Sequence, residues 1–380
     1  MILIKNIKVY SPKCIGIKDV LITNGGITLI EDKIEQFNKN IKVIDGTHKK
    51  LIPGLIDNHV HVTGGGGEGS FKTRVPEIGL SKLIEGGITT VVGLLGTDST
   101  TRSVENLVAK AKSLKEEGLS VYVHTGSYGY PSVTLTDSVK KDILFIEEII
   151  GVKIALSDHR SPSLSCDELA RLASDARVSG MLSGKAGIVV VHMGDGKKGL
   201  SLVNKILKET DIPITVMRPT HVNRNEELLE EAFDYTKRGG IIDLTCGISK
   251  DMTPGKVILK AELESVPLEN ITISSDGYGS WSNYDEYGNI RGIGVSSVAS
   301  LYKEFKSMVL DLNFDIEKAL QFYTINPSKS LKLYPQKGTI QEDSDADLLI
   351  IDENLEINTV IANGKIMLNN GKVIVKGTYE

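Results

Sequence analysis

Residues 51–69 of the chain read LIPGLIDNHVHVTGGGGEG. A Pro-Gly turn and an apolar run lead into two histidines one residue apart, and four consecutive glycines then precede a glutamate. Because the side chains of a β-strand alternate between its two faces, a strand here places His59 and His61 on the same face. Two imidazoles that converge on one face suggest a metal site.

The strand pattern of this stretch recurs as far as about residue 278. Short runs rich in β-branched residues alternate with amphipathic segments, several of which are followed by a glycine, as at Gly118 and Gly239. Eight strands that alternate with helices predict an α/β fold, a (β/α)8 TIM-like barrel. The strand candidates are LIDNHVHV (55–62), TTVVGLLG (89–96), LSVYVHTG (119–126), VKIALSD (152–158), GIVVVHM (187–193), PITVMRP (213–219), GIIDLTC (240–246) and NITISSD (270–276). The helix candidates include 77–87, 103–118, 165–180, 199–210 and 225–239.

The two ends of the chain show a different pattern. Both contain hairpin-like β segments with the turn sequences NGG, ANG and NNG. The alternation of apolar and polar residues disfavours the alternative of two disordered tails. We therefore expect residues 1–53 and 333–380 to form the two parts of one small β-sandwich, which flanks a barrel made of residues 54–332.

The overall composition narrows the classes of partner and compartment. The 380 residues carry a net charge of −5 that is spread along the sequence, so neither nucleic acid nor a membrane surface is expected as a partner. No run approaches the ~20 apolar residues that a membrane span requires. Cys14, Cys166 and Cys246 are odd in number and lack CxxC spacing, which argues against a disulfide framework and against a thiolate zinc site. A cytoplasmic protein is expected.

Chemically useful side chains lie where the predicted strands end, the face of a (β/α)8 barrel that carries functional sites. Histidines occur at the ends of the first, fifth and sixth strands, a tyrosine follows the third strand, and an aspartate ends the eighth. These residues are His59, His61, His192, His221, Tyr128 and Asp276. Lys153 lies within the fourth strand, where its long side chain could still reach up the barrel interior.

A single histidine is more often a core or surface residue than a metal ligand, and His48, His124 and His159 are expected to include such cases. Four histidines and an aspartate at the strand ends of one barrel are much less easily accidental. Lys153 tests the idea further, because burying an ammonium group is costly and lowers its pKa. A neutral amine beside two cations could take up carbon dioxide to give a carbamate, a negatively charged bridging ligand.

Several motifs together resemble those of a known family. PGLIDNHVH, GVK, VHMGD, RPTHVNRN and SSDG are similar to the metal motifs of the amidohydrolase superfamily. With GGGGE, GLLGTD and SDHRS added, the set resembles the bacterial isoaspartyl (β-aspartyl) dipeptidases, and the resemblance covers essentially the whole chain. The segments SYGYP around Tyr128 and GYGSWSNYDEYGN after Asp276 differ from the family motifs, because they contain more aromatic residues. These departures put the leaving-group residue that the family prefers more in question than the reaction.

The resemblance implies a metalloprotease of the dipeptidase type with two metal ions, bridged by a hydroxide and by carboxylated Lys153 (N6-carboxylysine). The ligands would be His59, His61 and Asp276 for one ion and His192 and His221 for the other. Zinc is the expected metal, although manganese, cobalt or iron suit the same ligands. A metal-bound water is acidified enough to attack a carbonyl at neutral pH. Asp276 would take the proton of the hydroxide and pass it to the leaving amine.

The resemblance also implies the substrate contacts. The glycines of GGGGE, which lack Cβ, would let a substrate lie against the main chain and would bring Glu68 to the site; a flexible loop tip is the alternative interpretation. Glu68 would hold the free α-amino group of the substrate, and Tyr128 would polarise the scissile carbonyl. The remaining substrate-binding residues would be Thr97, Arg160, Arg224 and Ser280, of which the two arginines and the serine hold carboxylates. A homo-octamer or another homo-oligomer is implied as well.

Two alternatives remain open from the sequence. A β-linked aspartyl dipeptide carries one ammonium and two carboxylates around an amide, which matches this polar set. Dihydroorotases and hydantoinases resemble the metal site but cleave cyclic amides, which offer no free amine to Glu68. A metal-free interaction scaffold related to the dihydropyrimidinases is the alternative from outside the enzymes. Such proteins have lost ligands, whereas this chain retains all six.

Overall fold

Strands from the two ends of the chain and a central series of strands and helices make up the fold. The computed structural model describes residues 1–36 and 39–380, so residues 37–38 of the predicted segment 1–53 lie outside the described residues. The N-terminal strands are β1 (Ile2–Tyr10), β2 (Cys14–Thr23), β3 (Gly26–Glu31), β4 (Lys42–Asp45) and β5 (Lys50–Pro53).

The central part alternates strands with helices. Its strands are β6 (Leu55–Val60), β7 (Ile88–Gly93), β8 (Ser120–Gly126), β9 (Ile149–Leu156), β10 (Ile188–Met193), β11 (Met217–Thr220), β12 (Ile242–Thr245) and β13 (Ile271–Ser274). Its helices are α1 (Leu80–Glu85), α2 (Val104–Glu116), α3 (Val139–Phe145), α4 (Cys166–Ser183), α5 (Ser201–Glu209), α6 (Glu226–Lys237) and α7 (Pro254–Leu263). Short 3-10 turns occupy Phe71–Thr73, Ile214–Val216, Val222–Arg224 and Leu268–Asn270.

The remainder of the chain adds a hairpin, three helices and the last strands. The hairpin consists of β14 (Ser280–Tyr284) and β15 (Ile290–Val295). The helices are α8 (Ala299–Leu310), α9 (Ile316–Gln321) and α10 (Ile325–Ser330). The last strands are β16 (Leu348–Ile351), β17 (Ile357–Ala362), β18 (Lys365–Asn369) and β19 (Lys372–Val373).

The strands β6 to β13 form one parallel sheet in chain order, which curls into a nearly closed barrel. Its two edges meet just past β13, where Val60 forms a parallel bridge with Gly277 and His61 N donates a hydrogen bond to Gly277 O at 2.9 Å. Each of the eight predicted strand segments contains or overlaps one of these strands. The predicted TIM-like barrel is confirmed.

Both ends of the chain contribute to a second, nine-stranded sheet. Its order is β19-β18-β17-β16-β5-β1-β2-β3, with β4 paired to β1. Aliphatic side chains from both ends share one core that is separate from the barrel core, for example Ile4 and Ile22 with Leu348 and Ile361. A module built from both chain ends therefore flanks the barrel, as the alternating pattern predicts.

Helix starts depend partly on local caps and partly on distant contacts. Ser165 and Glu168 form a reciprocal capping box at the start of α4, which a local pattern can predict. Helix α1 begins at Leu80, later than predicted, and its Ser81 N–H donates to the Glu380 carboxylate at 2.9 Å. Because that contact joins positions 299 residues apart, no local pattern indicates it.

Two general expectations can be compared with the described residues. No helix among them is long and apolar enough to cross a membrane. Cys14, Cys166 and Cys246 are all free thiols.

A buried ion cluster joins the module to the barrel. Lys337, whose side chain is 4% exposed, places its Nζ 2.5 Å from Asp345 Oδ2 and 2.7 Å from Asp347 Oδ2. Asp347 also accepts a hydrogen bond from Asn363 N at 2.7 Å, and its main-chain oxygen accepts one from Gly54 N. The lysine therefore neutralises carboxylates that lie between the last strands of the module and the start of the barrel.

We predict that Lys337→Met lowers the free energy of unfolding by about 3–5 kcal/mol, because it leaves buried negative charge without a counter-ion. Lys18→Met is the control, since it breaks an ion pair with Asp32, whose side chain is 87% exposed, and should have a far smaller effect. Urea denaturation followed by circular dichroism measures both variants. Equal losses would show that the buried cluster contributes no more than a surface pair.

Candidate active site

Three side chains of the types that bind metal ions meet at the carboxyl ends of barrel strands. His59 lies in β6, His221 follows β11, and Asp276 lies just beyond β13. One potential ligand atom from each lies within 4.8 Å of the others. His221 and Asp276 have left-handed backbones, with φ of 64° and 50°, which non-glycine residues adopt mainly where the surrounding structure demands it. The group is compatible with ligands of a metal ion.

Two further predicted ligands border this group. His61 Nε2 lies 3.3 Å from Asp276 Oδ1. Lys153 is completely buried within β9, and its Nζ lies 3.3 Å from His59 Nε2. The lysine side chain thus reaches the same mouth of the barrel as the histidines, as its position within the fourth predicted strand allows.

His192, at the end of β10, connects this group to other polar residues. Its ring centroid lies 4.6 Å from that of His221, which brings the sixth predicted ligand to the group. The Tyr128 hydroxyl lies 2.9 Å from His192 Nδ1, and Asp158 Oδ2 lies 3.2 Å from His192 Nε2. The structure therefore gathers all six predicted metal-type residues, with Tyr128 beside them.

Burial sets the charge states of these groups. Burial and then neighbouring positive charge lower the pKa of His59 and of His221 well below the ordinary value, so both imidazoles are neutral and able to coordinate. Burial also lowers the pKa of Lys153 to about 7. Burial raises the pKa of Asp276, but contact with His61 and the nearby His221 outweigh it, and the pKa falls to about 2. At neutral pH an ionised carboxylate therefore lies near an amine that is neutral in a large fraction of the molecules.

Two buried atoms of the group make no hydrogen bond to any described residue. They are His61 Nδ1 and Asp276 Oδ1, the latter close to His61 Nε2 but outside hydrogen-bond geometry. A buried polar atom without a partner costs ~1–3 kcal/mol, so such atoms normally have a ligand. Neutral imidazoles and carboxylates are donors that zinc and related divalent metals accept. The residues present therefore fit a metal centre.

Tyr128 lies between the six predicted metal ligands, which form the ligand group, and the side chains that surround Glu68, which form the pocket around Glu68. Its ring centroid is 5.3 Å from Lys153 Nζ and 5.2 Å from Arg160 Cζ. Burial raises the pKa of Tyr128, so its hydroxyl stays protonated at neutral pH. A protonated phenol at this place can donate a hydrogen bond to a carbonyl oxygen.

The glycine-rich stretch after β6 adopts a backbone that requires glycine. Gly64 and Gly66 have φ of 78° and 81°. A Cβ on Gly64 would lie 2.1 Å from Val75 O, so any other residue here would force the backbone to shift. The turn brings Glu68 beside the barrel mouth.

The Glu68 carboxylate gathers donors from three other segments. Its side chain is 9% exposed. Ser280 Oγ lies 3.0 Å from both carboxylate oxygens, Thr97 Oγ1 donates at 3.3 Å, and Arg160 Nη1 lies 3.4 Å away. Four of the five residues predicted to bind substrate therefore form one cluster.

Arg224, the fifth predicted substrate-binding residue, is held by a different segment. Its Nε donates to Met193 O at 3.2 Å, at the end of β10, and its Nη1 lies 3.7 Å from Asp195 Oδ2. These contacts place the Arg224 guanidinium on the side of the site where His192 lies, apart from the cluster around Glu68.

Asp158 belongs to the site, although sequence reasoning assigns it no role. Its carboxylate accepts two hydrogen bonds from Arg160, from Nε at 2.9 Å and from Nη2 at 2.7 Å, and also contacts His192. Burial raises the pKa of Asp158, but the hydrogen bonds from Arg160 outweigh it and keep the carboxylate ionised. The available signal was its position in SDHRS, two residues before Arg160 and at the last residue of the predicted strand 152–158.

Other contacts missed by sequence reasoning lie behind the ligands. Asp57 is buried and accepts hydrogen bonds from Ser275, the residue before Asp276. Thr245 Oγ1 lies 2.7 Å from His221 Nδ1. Partners of this kind orient metal ligands. Of these residues, only Asp57 could have been suspected from the sequence, because it lies on the strand that carries the first histidines.

Comparison with known proteins assigns the class. A model described as the Amidohydrolase family matches residues 51–367, most of the 380-residue chain. The chain therefore belongs to the amidohydrolase family and is a hydrolase of that family.

The most informative similarity is to β-aspartyl dipeptidase from the thermophilic, keratin-degrading Fervidobacterium islandicum AW-1. Its crystal structure in complex with the β-Asp-Leu dipeptide has 43% sequence identity, a TM-score of 0.94, and coverage of 98% of this chain and 97% of that chain. The resemblance that the sequence motifs indicate is confirmed.

Two relatives of lower identity have other names. The chain is 23% identical to a dihydroorotase of Elusimicrobium minutum (strain Pei191), over 93% of this chain and 88% of the relative. It is also 23% identical to an L-hydantoinase of Paenarthrobacter aurescens, over 95% of this chain and 87% of the relative.

We predict that zinc added to metal-free protein raises the Tm of the wild type more than that of Asp276→Asn, because binding to the folded state alone stabilises it, by about 2.7 kcal/mol at a hundred times Kd. His48→Ala is the control, since His48 is exposed and lies outside the ligand group. Differential scanning fluorimetry measures all three proteins. An equal rise in Asp276→Asn and His48→Ala would contradict the ligand role of Asp276.

Proposed function

We propose that the protein is a metal-dependent dipeptidase that hydrolyses β-aspartyl (isoaspartyl) dipeptides at the side-chain amide. The observation that carries this proposal is the pocket around Glu68, where a nearly buried carboxylate lies beside Arg160 and the Ser280 hydroxyl. The ammonium of a β-aspartyl dipeptide would pair with the glutamate and a carboxylate with arginine. The similar enzyme of F. islandicum, solved with β-Asp-Leu, supports this substrate class.

The residues at the strand ends would hold two metal ions, preferably zinc, with manganese, cobalt or iron as alternatives. The ligands would be His59, His61 and Asp276 for one ion, His192 and His221 for the other, and carboxylated Lys153 for both. When bound, the ions supply Lewis-acid polarisation of the carbonyl and lower the pKa of water, so that a nucleophile is available at neutral pH.

Lys153 would become a ligand by reaction with carbon dioxide. Its pKa of about 7 leaves much of the ε-amine neutral at neutral pH. The nitrogen lone pair would form a bond to the carbon of CO2 as one C–O π bond opens, and the nitrogen would release a proton to water, which yields a carbamate with one negative charge. That product replaces a buried basic group by an anion suited to the neighbouring ions.

Asp276 and Tyr128 would act on the reacting atoms. The Asp276 carboxylate would accept a proton from the attacking water and deliver it to the leaving amine nitrogen. The Tyr128 hydroxyl would donate a hydrogen bond to the scissile carbonyl oxygen, where negative charge develops. Arg160, Arg224 and Ser280 would hold carboxylates of the substrate, with Thr97 beside Glu68.

Cyclic-amide hydrolysis is the second candidate, because two relatives are named dihydroorotase and L-hydantoinase. The pocket favours the dipeptide, since a cyclic amide offers no ammonium for Glu68. A non-catalytic scaffold is favoured least, because all six ligand-type side chains are present and grouped at one barrel mouth.

We further propose a homo-oligomer, with an octamer as the form that the family resemblance implies, located in the cytoplasm. Neighbouring helices α3 and α4 expose apolar side chains of the kind found at subunit interfaces. These are Phe145, Val178, Met181 and Leu182. The free cysteines fit a reducing compartment.

The substrate assay tests the central proposal. The wild type should hydrolyse β-Asp-Leu, whereas α-Asp-Leu should react ~10²-fold more slowly, because anchoring its charged groups displaces the scissile carbonyl from the reacting groups. Liquid chromatography of released leucine measures both rates. Faster hydrolysis of dihydroorotate or a hydantoin than of β-Asp-Leu would replace the dipeptidase proposal by the cyclic-amide alternative.

Glu68→Gln should lower kcat/KM for β-Asp-Leu ten- to a hundredfold, because the variant keeps the shape but loses a charge-assisted hydrogen bond that is worth ~1.5–3 kcal/mol. N-acetylated β-Asp-Leu is the control substrate, since it lacks the ammonium. The variant should change its slow hydrolysis little. The same fold-loss on both substrates would remove the ammonium-binding role of Glu68.

Lys153→Ala should hold less metal than the wild type, because the carbamate ligand cannot form. Short carboxylic acids such as acetate should restore part of the metal and the activity, whereas chloride at equal ionic strength should not. Elemental analysis of the purified proteins measures the metal content. Unchanged metal in Lys153→Ala would exclude the carbamate.

A further inference from the structure

Arg102 is a buried arginine beside the glycine-rich loop, and it belongs neither to the ligand group nor to the cluster around Glu68. It lies between β7 and α2 and is 6% exposed. Its guanidinium donates hydrogen bonds from Nη1 to Thr63 O and from Nη2 to Gly65 O at 3.2 Å and Val75 O at 2.6 Å. The buried guanidinium therefore forms its hydrogen bonds with main-chain carbonyls.

These carbonyls belong to both arms of the loop that carries Glu68. Thr63 and Gly65 lie on the outgoing arm and Val75 on the returning arm, and Val75 N also donates to Gly65 O at 2.9 Å. A glycine-rich arm has no side chains to pack and loses the most conformational entropy when it is ordered. The guanidinium supplies the link between the arms that side chains would otherwise make.

The same segment also contacts the tip of the loop. Thr97, a few residues before Arg102, donates to the Glu68 carboxylate, while Arg102 holds the backbone behind it. The segment between β7 and α2 thus holds both the main chain of the loop and the carboxylate at its tip. A displacement of about 1 Å at such a group can cost ~10²-fold in rate.

We propose that Arg102 is a positioning residue for substrate recognition: it fixes the glycine-rich loop so that Glu68 meets the α-ammonium of the substrate. The proposal rests on the proposed function for its substrate, but its structural part concerns this chain alone. Lysine cannot replace the arginine, because a point charge on a flexible stem does not reproduce a planar fork that spans two arms.

Hydrogen–deuterium exchange on the protein without substrate tests the structural part. Arg102→Lys should exchange the amides of residues 63–75 faster than the wild type. The matched control is Arg218→Lys, which changes another buried arginine bonded to main-chain carbonyls, those of Thr215, Met217 and Ser330. Arg218→Lys should leave exchange in 63–75 unchanged. Equal protection of the loop in Arg102→Lys and the wild type would overturn the proposal.

Paired substrates test the recognition part. N-succinyl-leucine equals β-Asp-Leu without the α-amine, and the wild type should prefer β-Asp-Leu roughly ten- to a hundredfold in kcat/KM. Arg102→Lys should lose most of this preference, and combining it with Glu68→Gln should lose little more, because both changes remove one interaction. Arg218→Lys should keep the preference. Equal fold-losses of Arg102→Lys on both substrates would assign Arg102 to general stability and overturn the proposal.

A second variant covers the case in which Arg102→Lys does not fold. Gly64→Ala strains the same loop, since its Cβ would meet Val75 O, and it should produce the same loss of preference. Retention of the full preference by a folded Gly64→Ala would count against the proposal. If the wild type ignores β-Asp-Leu altogether, the proposed function fails, while the exchange measurement still decides whether Arg102 holds the loop.

Discussion

The hydrogen bond from His61 N to Gly277 O closes the barrel at the point on which the site depends. It joins the first barrel strand to the segment after the last, and these two segments carry His59, His61 and Asp276. Closing a parallel sheet places the carboxyl ends of all its strands around one mouth. Side chains more than 200 positions apart in the sequence therefore come within a few ångströms.

Exclusion of water from this mouth determines its chemistry. Burial keeps the imidazoles neutral and lowers the pKa of Lys153 to about 7, while Asp276 stays ionised. Grouped donors with buried atoms that lack hydrogen bonds are costly for a folded chain, and a cation bound there would offset that cost. Strain and unsatisfied atoms are common at functional sites for this reason.

The proposed substrate recognition depends on a second constraint, the conformation of the loop after β6. Glycines give Glu68 access to the mouth, but a glycine-rich loop has little packing of its own, so contacts from other segments must hold it. Arg102 bonds its backbone and Ser280 bonds the carboxylate at its tip. Asp158 similarly fixes the fork of Arg160. Both charged groups of the pocket are therefore held by hydrogen-bonded partners, which for Glu68 come from other segments of the chain.

The sequence by itself determined the eight barrel strands, their alternation with helices, and the residue types at the strand ends, because periodicity and turn residues are properties of local segments. It was thus sufficient for the barrel, for the flanking module, and for grouping His59 with Asp276 at one mouth. It did not indicate helices α3 and α7 or the β14–β15 hairpin as separate elements. Only the tertiary structure decided which side chains touch: Asp158 on Arg160, and Arg102 on the loop carbonyls. Those contacts join segments distant in sequence through directional hydrogen bonds, which depend on the packed geometry and leave no periodic trace in the chain.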